Sequence, residues 1–321
     1  MTLFEQIKSI PKVDLHINLT SSISTDLAFD LSDEANMAEI VSRMQEGNTL
    51  EYVNALKLPI KILRSNKNII LAINDLIDKL DRDNVIYGEL FLDLSLYNHH
   101  IDIERVLNVI LDVIKERNSN LQVVLVLSSK LDKDDNLRIL DIYKKYYGNG
   151  VNGIYFNKDT NTNLDNYAYL FNSLIKECYP YIINLNSKVA NKDKEIYLHA
   201  KRVIYTLDTR DDNIISELMN NDIMLEFALT RFHENGIIND YKDYFIYDLI
   251  KDNIKVTITS MDMTTLNTDV INEWCILFNN YPFVLHDLIK IINYNLLKIN
   301  IDDAKRDKLI QEFKDKSNLV L

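Results

Sequence analysis

The stretch IPKVDLHINLTSSIS, residues 10–24, holds a short apolar run, Val13 to Leu19, that carries Asp14, His16 and Asn18 and then enters a cluster of hydroxyl side chains. A run of this length, bounded by Pro11 and by Ser/Thr residues, reads as a buried strand. Side chains two apart in a strand share a face, so His16 and Asn18 point the same way. Two histidines at that spacing could hold one metal. With Asn18 in the second place, the question is whether any metal is held.

Seven more runs of the same kind follow: VIYGELFLDL (85–94), QVVLVLSS (122–129), GIYFN (153–157), YIINLNS (181–187), RVIYTL (202–207), IMLEFAL (223–229) and KVTITSM (255–261). Between them lie amphipathic segments such as IERVLNVILDVIKERN (103–118), DNYAYLFNSLIKECY (165–179) and NIISELMNN (213–221), whose apolar residues recur at three and four. Eight strand–helix alternations imply an α/β fold of the (β/α)8 TIM-barrel type in preference to an open doubly wound sheet. No low-complexity linker or charge block interrupts the pattern, so residues 1–321 read as one domain. The stretch 24–83 is too long for a single crossover helix and reads as a helical lid insertion after the first strand, placed to cover the barrel top.

Composition narrows the partners. With 47% apolar and 26% charged residues the chain is an ordinary globular one, and its net charge of -12 argues against a nucleic-acid backbone as partner. A small neutral or cationic ligand is easier to accommodate, and a homo-oligomer is compatible. Cys178 and Cys275 form no C-x-x-C, so neither a zinc ribbon nor a disulfide framework is suggested and a reducing, cytoplasmic setting is expected. No apolar stretch of about 18 residues marks a membrane span. Gly148-Asn149-Gly150-Val151-Asn152-Gly153 satisfies G-x-G-x-x-G, but it stands before a strand and opens no helix, so it is expected to be a turn and not a dinucleotide cradle.

In a barrel the chemistry sits at the C-terminal ends of the strands. Those ends supply His16 and Asn18, Asp93, Ser128 and Ser129, Asn157 and Lys158, Asn186 and Ser187, Asp208, Thr230 and Arg231, and Asp262. The ring is polar yet contains one histidine, whereas catalytic zinc needs three protein ligands from histidine, cysteine or carboxylate. His99, His100, His199, His233 and His286 fall in loops, before a strand or in a late helix. Glu89 within its apolar strand reads as a structural group of the barrel interior. Tyr155, Phe156 and Tyr205 could stack on a base, although aromatics in strands are usually core.

PKVDLHINLTSSI resembles the opening of the adenosine deaminases among the metal-dependent amidohydrolases, whose strand reads like P-K-x-E-L-H-x-H-L-D-G-S. NTLEYVNALKLPIKILRSNKNII resembles the family's helical lid and DNVIYGELFLD its second strand, with Glu89 in the matching place. GVNGIYFNKDT is similar to G-I-D-L-A-G-D-E, AKRVIYTLDT to E-R-L-G-H-G, IMLEFALTRF to E-x-C-P-x-S-N and VTITSMDM to N-T-D-D-P. The closing helices match as well, with Lys305 in place of a lysine common there.

The same resemblance implies that the chemistry is stripped out. His16 matches the first metal histidine, while Asn18 and Asn184 stand for the second and third and Met261 for the metal aspartate. The catalytic glutamate corresponds to Ser187, or to Lys188 if the local gap is placed differently, and the G-H-G histidine to Tyr205. Asp262 keeps the second aspartate, Thr20 replaces the aspartate after H-x-H, and Lys158 replaces a glycine. Deamination of adenosine needs a metal-activated hydroxide and an acid for the ring nitrogen. An amide oxygen and a thioether are poor zinc ligands, so no metal and no other cofactor is expected.

The favoured expectation is a barrel without deaminase activity that binds a purine nucleoside or another small polar ligand through His16, Asn18, Thr20, Lys158, Asn184, Tyr205 and Asp262. Lys158, Asp262, His16 and Tyr205 should then line one cavity, with Asp262 accepting from a purine or paired with His16 or Lys158. Two alternatives stay open. One is an active hydrolase, either the deaminase through another alignment or a metal-free reaction on His16, Asp262 and Lys158. The other is a scaffold whose partner is a protein.

Overall fold

The computed structural model describes residues 2–32, 36–45, 49–97 and 102–318, the side chains of 49–51 and 318 excepted. Eight strands form one sheet in sequence order: β1 (Lys12–Asn18), β2 (Val85–Leu92), β3 (Leu121–Ser128), β4 (Val151–Asn157), β5 (Tyr181–Leu185), β6 (Arg202–Tyr205), β7 (Met224–Phe227) and β8 (Val256–Ile258). Every neighbouring pair is parallel. The ring closes just past β8, where Asn18 donates its backbone N–H to Met261 O (2.8 Å) and Met261 donates to His16 O (2.9 Å). This is a (β/α)8 barrel. Its strands are buried on both faces, which is why they read as near-continuous apolar runs instead of alternating ones.

Several outer helices begin where the sequence offers a capping side chain. Ser65, Asp102, Asp132 and Asp211 each accept a backbone N–H in the first turn of the helices Asn66–Arg82, Ile103–Glu116, Lys133–Tyr146 and Asp212–Asn220. The segment read as one helix over 165–179 is a 3-10 turn, Leu164–Tyr167, followed by the helix Ala168–Lys176. The insertion after β1 divides in two. Four short helices, Thr25–Leu31, Met37–Met44, Thr49–Ala55 and Lys57–Ile62, pack on one another. The last part of the stretch 24–83, Asn66–Arg82, instead packs on β2 and on the helix Ile103–Glu116, so it is the barrel's own first crossover helix and the lid ends before it. No helix among the described residues is long and apolar enough to cross a membrane.

The stretch 148–153 is a turn into β4, as expected, and its glycines have backbone reasons. Gly148 lies at φ +78° and Gly150 at φ +93°, where L side chains are strained. The β3–β4 register shifts between Val123 and Val124, which pair with Val151 and Gly153 and leave Asn152 as an extra residue between them. A Cβ on Gly150 would also sit 2.7 Å from Leu111 Cδ2. Gly150→Ala should lower the unfolding free energy by roughly 1–3 kcal/mol in urea denaturation, whereas Gly148→Ala, with open space around it, should cost less.

Candidate functional site

The upper site is built on β1. His16 Nδ1 lies 2.5 Å from Glu226 Oε1, a carboxylate of β7 with no solvent exposure. Arg202 of β6 donates from Nε to the other oxygen of Glu226 (2.6 Å) and from Nη2 to Glu89 Oε2 on β2 (2.8 Å) and Leu15 O (2.6 Å). Glu89 also accepts from Tyr87 (3.2 Å), so it is the interior structural group the sequence suggested. Burial by itself would raise the Glu226 carboxyl, but His16 and Arg202 outweigh it and hold its pKa below the usual value. Phe91 stacks flat on the His16 ring at 3.5 Å between centroids.

On the other side of the imidazole, hydrogen-bond polarity is passed along from Asp262. Asp262 Oδ1 accepts from Asn18 Nδ2 (2.8 Å), Ser21 Oγ (2.5 Å) and the Tyr52 hydroxyl (2.9 Å). Because the Asn18 amide nitrogen is committed to that carboxylate, its oxygen faces His16 Nε2 at 3.3 Å. Both ring nitrogens therefore face side-chain oxygens of the protein, at 2.5 Å and 3.3 Å. The remaining oxygen of Asp262 meets Arg231 Nε at 3.4 Å, and the Arg231 guanidinium lies 3.8 Å above the Tyr52 ring. Tyr52 belongs to the lid helix Thr49–Ala55, so this cluster ties the lid to the barrel rim.

These groups border a cavity of about 340 Å3, within the range of small-molecule pockets. His16, Asn18, Thr20, Asn184 and Asp262 line it as expected, together with Phe91, Tyr155, Asn157 and Arg231 and with Leu56 of the lid. Three expectations are corrected. Lys158 is not on the wall: its ammonium turns to Asn186 Oδ1 (2.5 Å) and Ser187 Oγ (3.5 Å), away from Asp262, and burial lowers its pKa. Ser187 accompanies it outside the cavity. Tyr205 packs on Phe227 and Phe245, and its hydroxyl is used by Thr209 O and Asp211 N, so it does not face a ligand. Asp262 pairs with Arg231, not with His16 or Lys158.

The metal positions can be tested on the same contacts. Asn184 closes both amide atoms on the backbone of Lys158 (2.9 Å each), Met261 offers a thioether, and both His16 nitrogens are engaged. Among the described residues no three of histidine, cysteine, aspartate and glutamate are grouped to hold a metal ion. The residues present do not fit zinc. His199, His233 and His286 lie outside the cavity, and His99 and His100 lie outside the described residues.

A family model described as adenosine deaminase matches residues 11–316. The chain belongs to the adenosine deaminase family. It is similar to the adenosine deaminase of Clostridium botulinum strain Langeland, 24% identical with 95% of this chain and 97% of that protein covered. It is also similar to that of Clostridium kluyveri, 22% identical with 100% and 98% covered. Among solved structures, apo N6-methyl-AMP deaminase from Arabidopsis thaliana superimposes with TM-score 0.84 at 14% identity, covering 97% of this chain and 98% of that one. The adenine deaminase of Arthrobacter aurescens gives TM-score 0.83 at 12% identity, covering 96% and 99%.

Glu226 and Arg202 were missed as site residues, although a lone charge inside an apolar run is a sign that an opposite charge waits across the barrel. Arg202→Met should leave Glu226 and Glu89 facing each other without their cation and lower stability by roughly 3–5 kcal/mol. Adding Glu89→Gln should recover part of the loss, read by urea denaturation.

Two further buried acids set a pH dependence. Burial pushes Asp14, which accepts from Ser260 Oγ (2.5 Å), and Glu273, which accepts from the backbone of Leu229 (2.7 Å), up to about 7. The folded state then binds more protons than the unfolded chain between pH ~4 and ~7, so each group withdraws stability as pH rises through that window, by up to about 1.4 kcal/mol per unit. Asp14→Asn should lose less stability between pH 5 and pH 7 than the unaltered chain. Parallel stability curves would refute the assignment.

Proposed function

We propose that this protein binds a small, polar, nucleoside-like ligand in the upper cavity without deaminating it. One observation carries the proposal: the run of contacts from Asp262 through Asn18 and His16 to Glu226 commits both nitrogens of His16 and one oxygen of Asp262 inside the protein, and leaves Asp262 Oδ2 and Arg231 Nη1 without hydrogen-bond partners on residues that line the cavity, where a polar ligand can meet them. Hydrolytic deamination requires an activated water and a group that moves a proton to the leaving centre. Here His16 has an acceptor at each nitrogen and an aromatic ring on its face. The Asp262 oxygen nearest Asn18 already holds three donors. Ser187, which takes the place of the acid, lies off the cavity wall beside Lys158.

The cavity that remains favours binding over chemistry. Phe91, Tyr155 and Leu56 give it flat apolar walls, and Thr20, Asn157 and Asn184 give it neutral hydrogen-bonding groups. The chain's net charge of -12 adds no attraction for nucleic acid.

The test is threefold and uses the full chain. Expression in zinc-supplemented medium should give substoichiometric zinc, and added zinc should not raise the melting temperature. Adenosine should not be converted to inosine above background, and Asn18→His alone should not restore the reaction, because the missing groups act as a unit. Adenosine or inosine should raise the melting temperature by mass action on the folded state. Stoichiometric zinc bound at His16, or turnover of adenosine in the presence of chelator, overturns the proposal; the absence of any nucleoside shift favours a scaffold.

A further inference from the structure

The barrel's polar contents do not stop at the upper cavity. From Glu89 they continue to Tyr87 and on to Asn152, the extra residue that the β3–β4 register shift leaves between the paired positions. Tyr87 and Asn152 border a second cavity, about 610 Å3, at the N-terminal mouth of the barrel. Its wall includes Asn120 and Gln122 at the start of β3, and Asn300 in the link before the last helix. Asn120 is exposed and Gln122 and Asn300 are half-buried, whereas Asn152 lies in the interior, which such barrels fill mainly with branched apolar side chains.

The four amides share one orientation. Asn120 Nδ2 donates to Ile86 O (3.1 Å), Gln122 Nε2 to Leu121 O (3.1 Å), Asn152 Nδ2 to the Tyr87 hydroxyl (2.6 Å) and Asn300 Nδ2 to Asn152 O (2.5 Å). Each nitrogen is used within the protein, and none of the four side-chain oxygens has a donor among the described residues. Asn152 is 5% exposed and its Oδ1 is buried, so this acceptor carries a standing desolvation cost that an incoming donor would relieve. On the rim Lys305 pairs with Asp302 (3.4 Å), and Lys115 and Asp112 add one charge of each sign. The mouth is thus rich in acceptors and carries no net charge.

We propose that the N-terminal mouth is a second binding site, for a small uncharged polyol of the ribose type whose hydroxyl groups donate to these amide oxygens. The polyol could be a free sugar or the sugar part of a nucleoside. The proposal does not depend on the upper cavity being occupied.

The test titrates the full-length protein with D-ribose and, separately, with adenosine, followed by ligand-observed NMR and calorimetry. Saturable ribose binding is expected, weakened ~10-fold or more by Asn152→Leu and by Gln122→Met, and unchanged by Asn157→Ala, which alters only the upper cavity. Should Asn152→Leu fail to fold, Gln122→Met, on the half-exposed wall, carries the comparison. Ribose binding without displacement by adenosine identifies a free sugar; ribose displaced by adenosine identifies a nucleoside, whatever adenosine also does at the upper cavity. The proposal is overturned if ribose does not saturate, whether or not adenosine does, if both variants bind ribose as the unaltered chain does, or if spermidine displaces ribose, since the occupant would then be a cation.

Discussion

A carboxylate with no exposure to water, Glu226, is the constraint around which the barrel interior is arranged. Moving such a group out of water costs several kcal/mol unless an opposite charge and further hydrogen bonds meet it. Arg202 meets one oxygen and His16 the other. Arg202 is then a buried cation with spare donors, and Glu89 and the carbonyl of Leu15 take them. Four strands, β1, β2, β6 and β7, are tied through one charge. Arg202 is the residue whose removal leaves two buried carboxylates, Glu226 and Glu89, without their shared cation.

At the rim the same logic operates with hydrogen-bond polarity. Asp262 can only accept while ionised, so it fixes the Asn18 amide, and Asn18 in turn fixes which kind of partner His16 meets at Nε2. Most of the polar groups at this rim are met within the protein, while Asp262 Oδ2 and Arg231 Nη1 are left without hydrogen-bond partners. Tyr52 and Arg231 extend the arrangement to the lid, and their stacked contact is half-buried, where a cation over an aromatic ring contributes ~1 kcal/mol or more. The lid therefore rests on the same carboxylate that organises the mouth.

Much of this was legible before any coordinates. The eight apolar runs lie within a few residues of the eight strands, because parallel strands buried on both faces leave an unbroken apolar signature. Glu89 was readable as structural because a charge inside such a run has few other uses. The extent of the lid was not, since Asn66–Arg82 has the same periodicity whether it covers the top or crosses back to β2. Lys158 and Tyr205 were placed in the cavity by position along their strands alone. Their outcomes turned on neighbours: Asn186 and Ser187 offered the ammonium acceptors closer than Asp262, and Phe245 offered the Tyr205 ring an apolar bed.

The sequence by itself determined the barrel and its strand order, because these depend on local periodicity, and its resemblance to the family set Asn18, Asn184 and Met261 at positions where an amide or a thioether stands. Only the tertiary structure decided what the surviving polar groups do. His16 and Glu226 are 210 residues apart, and Asn18 and Asp262 are 244 apart. Which atom of each side chain donates and which accepts is settled when the strand ends meet, so the commitment of His16 to Glu226 and Asn18 belongs to the closed barrel and not to any stretch of the chain.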